Sequence, residues 1–68
     1  MGRDKSKDDK LFNCSQEYEY DYVSGLYSDS QIVYDFLQEK CADKTIYHST
    51  HDEVYKLIED ELGYSIPV

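Results

Sequence analysis

The segment Thr50–Pro67, T-H-D-E-V-Y-K-L-I-E-D-E-L-G-Y-S-I-P, constrains the fold of this chain more than any other stretch. Thr50 followed three residues later by Glu53 has the spacing of a capping box. The hydroxyl accepts from a first-turn amide and the carboxylate reaches back to the Thr amide. Asp52 and Glu53 suit the positive end of the helix dipole. Val54, Leu57, Ile58, Glu61 and Leu62 then fall at the i, i+3, i+4, i+7, i+8 spacing of one helix face, with a single polar member. Gly63 is a left-handed terminator with Tyr64 placed to fold back, and Pro67 forbids continuation. The segment predicts a helix over about 50–62 with an inward stripe.

Two further helices are expected. In E-Y-E-Y-D-Y-V-S-G-L-Y, Glu17 to Tyr27, the tyrosines alternate strictly with acids, which is a strand pattern in a β-favouring residue type. The same residues read as a helix place Tyr18, Tyr22, Val23, Leu26 and Tyr27 on one face. No second strand of matching pattern follows, and a lone strand leaves its backbone groups unpaired. Helix over 16–27 is therefore the expectation, with Asn13 and Gln16 at capping-box spacing and Gly25 weakening the last turn. The third helix covers 29–41, behind a Ser28-Asp29-Ser30 connector, with Ile32, Val33, Phe36, Leu37 and Cys41 as its stripe. Thr45, Ile46 and Tyr47 are expected to run extended before Thr50.

A chain of 68 residues forms one domain at most. Burying only about 60% of its unfolded surface, it has a thin stability margin. The fold class is all-α: a compact three-helix bundle, helix-turn-helix-like in outline, spanning 11–68. Met1–Lys10, charged and unpatterned, reads as a disordered tail. Apolar runs are too short to span a membrane, and the charged N-terminus has no apolar signal region. Cys14 and Cys41 lack paired-motif spacing, and two cysteines are too few for a disulfide scaffold. Reduced thiols in a cytoplasmic protein are the expectation.

Charge narrows the partners. Fifteen acidic against seven basic residues give a formal net charge of −8. Residues 1–10 hold Arg3, Lys5, Lys7 and Lys10 against Asp4, Asp8 and Asp9. The rest carries −9, with only Lys40, Lys44 and Lys56 positive. Such a body repels phosphate backbones and anionic membranes and attracts basic partners.

Candidate chemistry is sparse. His48 and His51, with Cys41 upstream, do not amount to the converging ligands zinc needs, so no metal, cofactor or catalytic residue is assigned. Both histidines are expected to face solvent or cap. Cys41 falls on an apolar face, where a structural thiol is the ordinary outcome. The eight tyrosines exceed what a three-helix core can bury, and tyrosine is an effective interface residue. The candidate partner-binding set is Glu17, Tyr18, Glu19, Tyr20, Asp21, Tyr34 and Tyr55.

The segment S-T-H-D-E-V-Y-K-L-I-E-D-E-L-G-Y-S-I-P resembles the third-helix segment of lactose-repressor-type DNA-binding domains, which also tend to show a Thr, then a Val, then L-[GN]-Y and a Pro. That helix packs behind the reading head in the family, so the resemblance implies a compact helical domain. The family's A-x-x-x-G-V-S-type turn has no counterpart, since Ser28–Cys41 is acidic and apolar. Phosphate neutralisation also needs more Lys and Arg than the folded part holds.

The function expected from the sequence is a small, non-enzymatic, acidic protein-interaction or regulatory module with a basic protein partner or a second copy of itself. The alternatives are a nucleic-acid mimic that inhibits a basic protein, with carboxylates at 17–21, 35–39 and 52–61, and a degenerate helix-turn-helix DNA-binding domain.

Overall fold

The computed structural model describes residues 4–66. Among them are a short 3-10 turn, Lys5–Lys7, and three α-helices: α1, Glu17–Ser24; α2, Ser30–Ala42; and α3, His51–Leu62. The all-α three-helix bundle expected from the sequence is the fold observed. No helix among the described residues is long and apolar enough to cross a membrane. The core is built from Phe12, Val23, Tyr27, Val33, Phe36, Leu37, Ile46, Val54, Tyr55 and Ile58. Each fully buried side chain of this size contributes about 1.5–3 kcal/mol relative to exposure.

The α3 signals act as their chemistry dictates. Thr50 accepts from the Glu53 amide while the Glu53 side chain accepts from the Thr50 amide, completing the capping box. Gly63 adopts φ 73° and its amide bonds the Glu59 carbonyl. Pro67 lies outside the described residues.

The residues before α1 depart from expectation. An α-helix leaves its first amides without intrahelical acceptors. The amides of His51 and Asp52 donate instead to the carbonyls of Lys10 (2.9 Å) and Asp8 (3.0 Å). The Phe12 amide donates to the Ser49 carbonyl at 2.8 Å, and Leu11 and Thr50 form an isolated antiparallel bridge. Asp4 donates its amide to the Tyr22 hydroxyl, and the Lys7 ammonium stands 4.5 Å from the Tyr22 ring centroid. Residues 4–10 are thus a strap across the start of α3 rather than a disordered tail; residues 1–3 lie outside the described part. The sequence reading missed this because the strap docks through backbone carbonyls, which leave no apolar pattern.

Helix α1 confirms the helical reading of the Glu-Tyr alternation but stops at Ser24, with Gly25 as C-cap. Its N-cap is Gln16, without a side-chain cap bond. Asn13 accepts from the Ser15 amide and closes its own turn, so the expected Asn13–Gln16 box does not form. Helix α2 buries Val33, Phe36 and Leu37, leaving Ile32 exposed. Its N-cap is Asp29, also without a side-chain cap bond. That carboxylate faces the Tyr64 hydroxyl; burial first, then the Asp29 charge and hydrogen bond, raise the pKa of Tyr64. Residues 43–48 are turns rather than the extended segment expected. Asp43 organises them by accepting from the Thr45 amide and hydroxyl, which lowers its pKa. The tight path puts Lys44 at φ 66° and drops Ile46 into the core.

The two cysteines correct the reduced-thiol expectation: Cys14 and Cys41 form a disulfide. Spacing alone did not disclose it, because the bundle brings Cys14, ahead of α1, beside the last turn of α2. Closing a loop of this length stabilises by about 3.5 kcal/mol in the chain-entropy view.

The caps and the strained turn carry the first predictions. Thr50→Ala is expected to cost about 1 kcal/mol by loss of the cap. Gly63→Ala is expected to cost about 1–2 kcal/mol purely as backbone strain, since a Cβ there meets nothing within 4 Å. Lys44→Gly removes a side chain from a left-handed position and is expected to stabilise or be neutral, where glycine elsewhere destabilises. Urea unfolding of the three variants checks all of these.

Candidate partner-binding face

Two arrangements involve the residues singled out from the sequence: one buried, one open. The buried one begins with α1's register. Glu19 stands one turn before Val23, on the inward side, and is 5% exposed; His51, the first residue of α3, is 2% exposed. The His51 Nδ1 is 2.7 Å from the Lys10 carbonyl, and its Nε2 is 3.1 Å from Glu19 Oε2. The other Glu19 oxygen accepts from the Asn13 amide at 3.1 Å. A carbonyl only accepts, so Nδ1 carries a proton. Nε2 and the carboxylate then need one further proton between them, on the ring or on the acid. Phe12 and Tyr22 place their rings edge-on to the imidazole, at 5.7 and 6.5 Å. This joint ties α1, α3 and the strap together.

The joint overturns two expectations. His51 is neither solvent-facing nor merely capping, and Glu19 is not available to a partner. The signal was present in the sequence: a helical α1 puts Glu19 four residues before the core residue Val23. His48, by contrast, is exposed beside Tyr47, ring centroids 4.8 Å apart. Among the described residues, no group of three or more His, Cys, Asp or Glu side chains is placed to hold a metal ion.

The open arrangement lies where α1 meets α2. Glu17 and Asp21 are exposed one turn apart on α1. Tyr34 of α2 is half-buried next to Tyr20, ring centroids 5.6 Å apart. The Tyr20 hydroxyl donates to the Cys14 carbonyl at 2.6 Å. Burial raises the pKa of Tyr20. It does the same for Tyr34, where the charges of Glu17 and Asp21 and the Tyr20 ring group add to it. Asp21, Ser24, Ser30, Gln31 and Tyr34 line a groove of about 290 Å³ between the helices. Gln31 bonds the Asp35 carboxylate at 3.0 Å, extending the acidic rim along α2.

Of the seven candidate residues, Glu17, Tyr20, Asp21 and Tyr34 come together on or under this face, while Tyr18 is exposed on α1 one turn before Tyr22, which faces the strap. Glu19 belongs to the buried joint. Tyr55, expected at the surface, is 5% exposed in the core. The buried side of α3 follows His51, Val54, Tyr55 and Ile58, because the joint turns His51 inward. That rotates Leu57 and Leu62 to the margin, where they remain partly buried against the core. Glu61 points outward and pairs with Lys40 at 3.4 Å.

Compared with known proteins, the chain matches no family model, no curated protein and no solved structure.

Two outcomes follow from these placements. Removing one partner of the buried pair, as in Glu19→Ala, is expected to cost about 3–5 kcal/mol. The double change Glu19→Leu/His51→Leu is expected to cost less than the sum of the single changes, a coupling that denaturant titration measures. In alkaline titration followed by tyrosine absorbance, Tyr34 is expected to ionise above the usual tyrosine range near ~10. Neutralising Glu17 and Asp21 should bring it only part of the way back, since burial is the larger cause. Folded-state stabilisation of neutral Tyr34 is present below that range and declines as pH rises through its folded pKa.

Proposed function

We propose that this chain is a small, non-catalytic interaction module whose α1–α2 face captures a basic protein segment. The observation that carries this reading is the grouping of Glu17, Asp21 and Tyr34 at one groove with no basic residue in α1. The only base in α2, Lys40, sits in its last turn and pairs with Glu61. Carboxylates supply attraction at a distance, and the tyrosine rings offer flat surface to aliphatic or guanidinium groups. The α1–α2 groove is open and about 290 Å³, which suits side-chain capture better than enclosure of a substrate.

The nucleic-acid mimic is the second reading. The overall −8 charge favours it. Its carboxylate array is weakened by Glu19, which is buried, and by Asp52 and Glu61, which pair with Lys56 and Lys40. The helix-turn-helix reading draws least support, since the exposed face is acidic. As to location, the disulfide favours an oxidising compartment over the cytoplasm expected from the thiol count.

The test is titration of an Arg/Lys-rich peptide, with its Gln-substituted counterpart as control, at low and high salt. Binding of the basic peptide alone is expected. Tyr34→Ala is expected to weaken it more than Glu17→Gln/Asp21→Asn. Equal binding of both peptides, or no loss in the tyrosine variant, overturns the module. Binding that vanishes in salt and is displaced by duplex DNA favours the mimic. Self-association in sedimentation without peptide binding favours a second copy as the partner, and a shift of DNA mobility favours the DNA binder.

A further inference from the structure

The disulfide does more than close a loop. Cys14 lies in the turn just before α1, and Cys41 lies in the last turn of α2. The same two helices are joined at their other ends by the short connector 25–29. Connector and disulfide together close the helices that carry Glu17, Tyr18, Asp21 and Tyr34 into a covalent ring. Around Cys14 the chain has further ties: Phe12 is buried in the core, its amide donates to the Ser49 carbonyl, and the Gln16 amide donates to the Asn13 carbonyl. The Tyr20 hydroxyl donates to the Cys14 carbonyl, and the Asn13 amide donates to Glu19. Both lie beside the position that the sulfur bridge holds.

The bridge is also approachable. Both cysteines are half-buried rather than enclosed. Cys14 lines an open depression of about 300 Å³ with Leu11, Phe12, Asn13, Ser15 and Tyr47, a lining to which Cys41 does not contribute. Leu11 and Tyr47 are exposed at its edge.

We propose that Cys14–Cys41 is a redox latch on the α1–α2 face. A thiolate of the glutathione class enters the depression and attacks the Cys14 sulfur. The S–S bond breaks, and its electron pair leaves on Cys41, which takes up a proton. A second donor thiolate attacks the outer sulfur of the mixed disulfide and releases Cys14, which is protonated in turn. Two electrons and two protons pass to the protein, and two donor thiols become one disulfide. The reduced chain regains the loop entropy that the bridge had withheld from its unfolded state. In a domain this small, that change is a large part of the margin holding α1 against α2. The loss of partner binding on reduction rests on the interaction-face reading; the latch itself does not.

The experiment compares the oxidised chain with the chain equilibrated in excess reduced glutathione, reduction being verified by thiol titration. Thermal melts and amide NMR spectra are recorded, with a Cys14→Ser/Cys41→Ser variant alongside. A fall in Tm of about 15–25 °C, or loss of the folded spectrum, is expected on reduction and in the variant. A reduced wild type whose melt stays within about 3 °C of the oxidised form, with the same spectrum, overturns the latch whatever the variant does. Glutathione trapped as a mixed disulfide is expected on Cys14; trapping on Cys41 overturns the direction of attack. Titration of the Arg/Lys-rich peptide is then expected to be at least about tenfold weaker in the reduced form, or ~1.4 kcal/mol. A fallen melt with no peptide binding in either form leaves the latch standing and removes the interaction face. A fallen melt with equal binding removes the gating.

Discussion

The imidazole of His51 holds this bundle in register. It lies where three parts of the chain meet, and each of its nitrogens is committed: Nδ1 to the Lys10 carbonyl and Nε2 to Glu19. Because a buried carboxylate without a partner is costly, α1 is held with Glu19 inward. Because the ring Nδ1–H and the main-chain amide of His51 both donate to the Lys10 carbonyl, the strap is held across α3. The orphan donors at the start of α3 are satisfied by Thr50, Lys10 and Asp8 rather than by water. Much of the fold's specificity therefore rests on polar contacts at one helix end, and the apolar core packs around a register already chosen.

That choice also shapes the surface. With Glu19 and Val23 inward, Glu17 and Asp21 necessarily look outward, a turn apart, and Tyr18 is left exposed. Tyr20 leans onto Tyr34 and hydrogen-bonds the Cys14 carbonyl. The acidic face and the hydrogen bond to the turn that carries the disulfide thus follow from one helix orientation. Helix α1 supplies a carboxylate to the interior, two to the surface and a hydroxyl to the turn that carries the bridge.

Helix α3 was the most legible part of the chain. Its capping box, glycine terminator and much of its stripe are local chemistry, settled by neighbours within one or two turns, and all appear as expected. The choice of helix for Glu17–Tyr27 was legible for a different reason: a strand there would have had nothing to pair with. Side-chain placement was less so. Tyr55 and Glu19 read as surface residues because they fall off the apolar stripes, yet both are buried by where α3 and α1 meet. Ile32 read as core and is exposed, since α2 presents Val33, Phe36 and Leu37 to the other helices.

The sequence by itself determined an acidic chain of three helices, the start and stop of α3, and the aromatic character of its surface. These depend on composition and on contacts a few residues apart. Only the tertiary structure decided that residues 4–10 lie over α3, that His51 meets Glu19, and that Cys14 reaches Cys41. The first two join segments 41 and 32 residues apart and the third spans 27. Such contacts follow from how helices pack and from which backbone groups remain unpaired, and although the register of α1 turns Glu19 inward, nothing in the sequence names His51 as its partner.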